Sequence, residues 1–192
     1  MRRSLCLLLL GCAVLWIGAG RTKAAESLQI HVATKLPAAA RLALAELQQT
    51  LEARQIDVRT VQKLPELESA AIVLGIAGAN AEFDAFLKES RVKVADGAES
   101  LACGWVPGRS RTLVLAGRDE RGLTYAVRDV TRGMQCLSRE QNWWQGVATA
   151  AESPFLLVRN VSVHRFNADC ERDWFFSDEF WRDYFSRLSL AR

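Results

Sequence analysis

Carboxylates crowd the C-terminal part of this chain, where Asp169, Glu171 and Asp173 alternate along one stretch and Asp178, Glu179 and Asp183 follow. Two carboxyls held ~5–9 Å apart in a sheltered cleft can act as the acid and the nucleophile or base that cleave a glycosidic bond. Their local spacing here fits a solvated acidic loop better, with Asp178 and Glu179 at the positive end of a helix dipole. A second chemistry is suggested by Gly75-Ile76-Ala77-Gly78-Ala79-Asn80, placed between a strand-like and a helix-like run as a phosphate-binding loop is. A dinucleotide fingerprint also needs a third glycine and an acidic residue about 20 positions on at a strand end. Asp96 has the distance but stands in a polar turn, so the glycine pair reads as turn geometry. Trp143, Trp144 and Trp174 carry indole faces that fit sugars, although burial in a seam between two units is the commoner fate of large aromatics. His31 and His164 lack Glu partners at metal spacing and read as ordinary residues. With no serine elbow, His-Glu-x-x-His or Walker loop, the residues supply no catalytic set, no metal site and no cofactor site.

The chain has 192 residues, 49% of them apolar and 24% charged, which suffices for one domain with a core. A complete (β/α)₈ barrel, typically ~250 residues, does not fit. Four of the 25 basic residues and none of the 22 acidic ones lie in the first 24 positions, so the formal charge of +3 becomes 21 basic against 22 acidic residues beyond them. That balance leaves no footprint for nucleic acid. Met1-Arg2-Arg3-Ser4 forms a cationic start, residues 5–19 an apolar run, and Thr22-Lys23-Ala24 a cleavage point, the pattern of a secretory signal at 1–24. The run is shorter than the ~20 apolar residues a membrane span needs. A secreted or periplasmic protein is expected, with no membrane attachment once the signal is removed; lipid anchoring at Cys12, in Leu9-Leu10-Gly11-Cys12, is the lesser alternative because the apolar run continues through Ile17. Cys103, Cys136 and Cys170 remain after Ala24, an odd number without Cys-x-x-Cys spacing, so at most one bridge can form. Cys103 reads as a small buried hydrophobe, and Cys136 with Cys170 is the pair to test.

Around these residues the periodicity predicts an alternating order of elements. Residues 28–32 alternate as a half-buried strand. Pro37 opens a helix to about Arg54 with Ala40, Leu44, Leu47 and Leu51 on one face. Residues 56–61 form a short strand, and 70–75 an apolar run suited to a strand covered on both faces. Asn80 caps a helix through Lys88. Leu101, Cys103 and Trp105 alternate, Pro107-Gly108-Arg109-Ser110 turns the chain, and 112–116 is the partner strand. Asp119 is placed to cap a helix with Leu123, Ala126, Val127, Val130 and Met134 in one stripe, while Arg121, Arg128 and Arg132 are expected in water. The result is a mixed α/β (α+β) sheet with helices over 26–140. Residues 141–155 read as an irregular connection, 156–164 as a strand, and 165–176 as a polar, aromatic loop. Ser177 caps a last helix with Phe180, Tyr184, Leu188 and Ala191 on one face, ending without a C-cap after Arg192. A lone strand, loop and helix cannot bury both of their apolar faces, which suggests the first unit of something repetitive or docking onto the preceding domain.

Residues 113–127, LVLAGRDERGLTYAV, resemble the close of the small α/β domain that precedes the catalytic barrel in β-N-acetylhexosaminidases and α-glucuronidases. In that pattern a hydrophobic strand ends in Gly-x-Asp, then x-Arg-Gly, then an aromatic on the helix: Gly117, Asp119, Arg121, Gly122 and Tyr125 here. Gly117 would permit the tight strand-to-helix turn, Asp119 would accept from free backbone N–H groups, and Gly122 would let the helix approach the sheet. Ser153-Pro154-Phe155 and the strand after it resemble the junction to such a barrel. Beyond the signal at 1–24, the resemblance implies the α/β domain at 26–140, a connection at 141–155, and the first βα unit of a truncated TIM barrel at 156–192. It further implies a non-catalytic part of a glycoside hydrolase, reaching carbohydrate through a barrel whose later strands carry the carboxylates. A loop after the first barrel strand faces such an active site, which makes Arg165, Asn167, Asp169 and Arg172 candidates for sugar-hydroxyl contacts. The alternative is a stand-alone extracytoplasmic carbohydrate-binding or interaction module.

Overall fold

The structure, a computed structural model, describes residues 27–64, 70–109, 111–155 and 172–191. In chain order these form β1 (Ser27–Val32), α1 (Ala38–Glu52), β2 (Asp57–Val61), β3 (Ala71–Ile76), α2 (Ala81–Glu89), β4 (Leu101–Trp105), β5 (Thr112–Gly117) and α3 (Glu120–Gln135). A 3₁₀ turn at Trp143–Gly146, β6 (Ala150–Glu152), α4 (Arg172–Phe175) and α5 (Asp178–Ala191) follow. The six strands make one sheet in the order β2-β1-β3-β5-β4-β6. Neighbours from β2 to β5 are parallel, while β4 runs antiparallel to β5 and β6 antiparallel to β4. The fold is mixed α/β, as the alternation of strand and helix patterns predicts.

Side-chain alternation divides the core into two layers. Leu28, Ile30, Ile72, Leu74, Leu113 and Leu115 face one way and meet the stripes of α1 and α3, including Leu44, Leu47, Leu123 and Val127. Val73, Val114 and Ala116 face the other way onto Phe83, Phe86 and Leu87 of α2. The central strands β3 and β5 are therefore covered on both sides, and their sequences are unbroken apolar runs for that reason. Cys103 lies buried in the first layer, its Sγ directed at the Ala126 carbonyl. Cys136 is exposed, and Cys170 lies outside the described residues.

The stretch expected as an irregular connection is more ordered than its composition suggests. Trp143 is 2% exposed and tilts against Trp105 with ring centroids 5.7 Å apart. The turn carrying it runs so close to α3 that a Cβ on Gly133 would collide with the Gly146 carbonyl oxygen, and one on Gly146 with the Gly133 oxygen. From there β6 adds to the β4 edge, Ala150 opposite Cys103 and Glu152 opposite Leu101. Ala-Ala-Glu has no alternation of its own; the open edge of β4 recruits it. Within the expected loop at 165–176, Arg172–Phe175 form the single turn α4. The expected strand at 156–164 lies outside the described residues.

One arginine corrects the expectation of a solvated helix surface. Arg128 on α3 is only 9% exposed: its Nη1 donates to the Ser186 carbonyl at 2.8 Å, and its Nη2 lies 3.6 Å from a Glu46 carboxylate oxygen. A guanidinium on a long apolar stem reaches across a helix interface where periodicity places only a polar residue. Arg54, just beyond α1, turns to the far end of α3 and donates to the carbonyls of Met134, Leu137, Ser138 and Gln141 at 2.5–3.2 Å. It satisfies the carbonyl fan that a C-capping glycine would otherwise bend around and opposes the negative end of the helix dipole.

Because the contact of α3 with the Trp143 turn is backbone against backbone, no side chain can yield to an added methyl. Gly133→Ala is expected to destabilise the protein by ~1–3 kcal/mol, read as a lower urea midpoint with tryptophan emission shifted to the red as Trp143 loses its cover.

Candidate functional site

The residues of the Gly-x-Asp-x-Arg-Gly stretch converge on the short segment that enters β4. β5 ends at Gly117, and a Cβ there would strike the Leu123 backbone nitrogen, so the chain turns into α3 without room for a side chain. Asp119 is the N-cap of α3: one carboxylate oxygen accepts from Arg121 N at 3.0 Å and Gly122 N at 2.9 Å. Its other oxygen accepts from Glu99 N at 2.7 Å. Gly122 abuts the Ser100 carbonyl, which a Cβ would hit, and the same carbonyl accepts from Arg118 N at 2.8 Å.

Glu99 closes the arrangement from the opposite side. Its carboxylate receives Arg121 Nη1 at 2.7 Å and the Tyr125 hydroxyl at 3.5 Å, one helical turn further on. The side chain of Glu99 is 16% exposed against 75% for Arg121, so the ion pair is open to solvent on the arginine side and is worth less than ~1 kcal/mol. Glu99 itself has φ +60, a conformation L residues adopt only when neighbours impose it. Ser100 then donates through its hydroxyl to Gly97 O at 2.6 Å and contacts Ser153 Oγ at 3.0 Å. Pattern reading singled out Gly117, Asp119, Arg121, Gly122 and Tyr125. It missed Glu99 and Ser100, which no local periodicity marks because they leave a polar turn.

The carboxylates of Asp119 and Glu99 point at backbone amides, an arginine and a phenol within the fold. At the glycine loop, Gly78 (φ +83) donates to the Asp84 carboxylate at 2.8 Å, and Asn80 accepts from Glu82 N and Phe83 N. An acidic side chain thus sits where a phosphate would have to bind, and the glycines serve the turn and the approach of Phe83 to Gly75. Asp96 is 95% exposed and lies 3.6 Å from Arg118.

Of the candidate sugar contacts, Arg165, Asn167 and Asp169 lie outside the described residues, and Arg172 is placed only as the first residue of α4. Asp169 and Glu171 of the acidic set are likewise outside. Asp173, Glu179 and Asp183 are exposed around an open depression of about 480 Å³ with Trp174, Ser177 and Phe180, and Asp183 pairs with Arg187 at 2.8 Å. Ser177 caps α5, accepting from Phe180 N at 3.1 Å. Trp143 is core, Trp144 is half-buried beneath the Arg111 guanidinium at 4.6 Å, and Trp174 packs on Phe180 at 4.8 Å. His31 is buried, its Nδ1 3.3 Å from the Val61 carbonyl. Glu140, fully exposed just past α3, has its carboxyl held below the usual range by its own backbone N–H and then by Ser138. Among the described residues there is no group of three or more metal-ligating side chains, and no helix is long and apolar enough to cross a membrane.

Asp119→Ala removes acceptors from three backbone amides at once. It should cost ~2 kcal/mol or more, at the upper end for a helix cap, and lower the thermal midpoint by several degrees. Arg121→Ala, which breaks only a solvent-open pair, should change the midpoint by about a degree or less.

No family model and no curated protein matches the chain. Among solved structures it is similar to a GH138 enzyme targeting pectin rhamnogalacturonan II, at 13% identity and a TM-score of 0.54, over 84% of this chain and 22% of that one. CpGH84D shows a weaker likeness, with 10% identity and a TM-score of 0.42 over 53% of this chain and 16% of the other. The chain thus spans about a fifth of the length of the GH138 enzyme. At this identity the likeness concerns fold alone: the chain has a mixed α/β fold that also occurs within a glycoside hydrolase.

Proposed function

We propose that this chain is the non-catalytic N-terminal part of a secreted glycoside hydrolase, an α/β domain of the kind that precedes the barrel in β-N-acetylhexosaminidases and α-glucuronidases. Its task is to support that barrel while the whole protein breaks down a polysaccharide or an amino-sugar glycan. The observation that carries this reading is the use of the Gly117–Tyr125 stretch: each polar group named there is engaged in joining β4 to α3. A stretch so used holds a fold together and performs no chemistry. The likeness of fold to part of a glycoside hydrolase agrees with it. In this reading residues 156–192 are the first βα unit of the barrel, with Arg165, Asn167, Asp169 and Arg172 near its sugar-binding end. Residues 1–24 are a signal peptide that takes the protein out of the cytoplasm.

Three measurements test the proposal. The purified chain should release no chromophore from aryl hexosaminides or aryl glucuronides, and turnover that survives repeated purification would contradict it. Extending the reading frame beyond the codon for Arg192 should reveal further βα units and an Asp/Glu motif; an immediate stop codon would favour the stand-alone module instead. N-terminal sequencing of the exported protein should begin at Ala25, and a product retaining Met1 would remove the secretory part of the reading.

A further inference from the structure

The helix α5 touches the α/β domain at α3, and a side-chain hydrogen bond crosses the contact. On the face of α3 concerned, Thr124 and Thr131 lie one turn to either side of Arg128, and all three are buried. The two threonine hydroxyls turn back on their own helix, donating to Glu120 O and Val127 O at 2.8 Å each. Arg128 alone of the three reaches out of the helix. Its Nη1 bonds the Ser186 carbonyl in the middle of α5 at 2.8 Å, its Nη2 lies 3.6 Å from Glu46 of α1, and among the described residues its Nε has no acceptor. On α5, Phe180, Trp181, Tyr184 and Leu188 stay half-exposed and Phe185 is 59% exposed, so its aromatic side chains do not seal the contact. A buried guanidinium whose one carboxylate neighbour among the described residues stands at long range is costly unless its remaining donor is used well.

We propose that Arg128 is the docking residue that sets α5 on the α/β domain, with Glu46 steering its charge. The fork of the guanidinium is what the position needs, because it serves a carbonyl on one helix and a carboxylate on another in different directions. A lysine can serve one or the other. The inference is independent of the function proposed above, since it concerns how α5 is held whatever the whole protein acts on.

The test is amide hydrogen exchange by mass spectrometry on the full chain, comparing peptides of α5 with peptides of β3 and β5. Loss of a charged hydrogen bond at the dock predicts that Arg128→Met raises exchange in α5 about tenfold or more, with β3 and β5 unchanged. Arg128→Lys should give a smaller rise in the same peptides, and it decides the matter if the methionine variant does not fold. Glu46→Gln, which keeps the bond to Ser186 but removes the steering charge, should also raise α5 exchange selectively. Unchanged α5 exchange in both Arg128 variants overturns the proposal. So does a rise in Arg128→Lys shared equally by α5, β3 and β5, because Arg128 would then be a residue of the core and not of the dock.

Discussion

Asp119 directs one carboxylate oxygen at the first free amides of α3 and the other at the amide of Glu99, so one side chain joins the start of a helix to the segment entering β4. The placement of β4 matters because it is the strand that departs from the parallel core. β2, β1, β3 and β5 are joined by parallel ladders, and a parallel crossover carries its own helix to cover it. β4, reached from α2 through the turn at 93–100, enters antiparallel beside β5. Fixing Glu99 and Ser100 against α3 fixes where β4 starts, and β6 then has an edge to add to. The positive φ of Glu99 and the bare approach of Gly122 to the Ser100 carbonyl are consequences of bringing these backbones so close.

Both ends of α3 are satisfied from outside the helix. Asp119 meets the exposed amides at the start, and Arg54, arriving from the end of α1, meets the exposed carbonyls at the finish. Each terminus thus receives charge of the sign that opposes its dipole. Along its length α3 shares a core layer with α1 and the sheet, and at Gly133 it admits the backbone of the Trp143 turn. The helix is accordingly the element on which the later chain is assembled: the Trp143 turn near its C-terminal end and α5 across its outer face through Arg128.

The main body of this architecture was legible in the sequence because it obeys local periods. Leu44, Leu47 and Leu51 mark α1, the runs at 71–76 and 112–117 mark strands buried on both faces, and Asn80 and Asp119 announce the helices they cap. What escaped depends on partners distant in sequence. β6 is Ala-Ala-Glu and becomes a strand only beside β4. Arg128 looks solvated on a helical wheel, and its burial is decided by an element almost 60 residues away, as its bond to Ser186 shows. Glu99 sits in a polar turn and acquires its role from Asp119, Arg121 and Tyr125, the residues that pattern reading had named without their common partner. Arg165, Asn167 and Asp169 were suggested by their place in a resemblance, and they lie outside the described residues.

In the fold as described, the conspicuous charged motif is a clamp between strand and helix. Native-state amide exchange at Glu99, resolved residue by residue by NMR, tests that claim most directly. If Asp119 clamps the segment, the Glu99 amide exchanges only when the unit containing β5 and the start of α3 opens, in step with the amide of Gly122. A Glu99 amide that exchanges as fast as the exposed turn before it, while Gly122 stays protected, would show that Asp119 caps the helix alone and that the clamp does not exist.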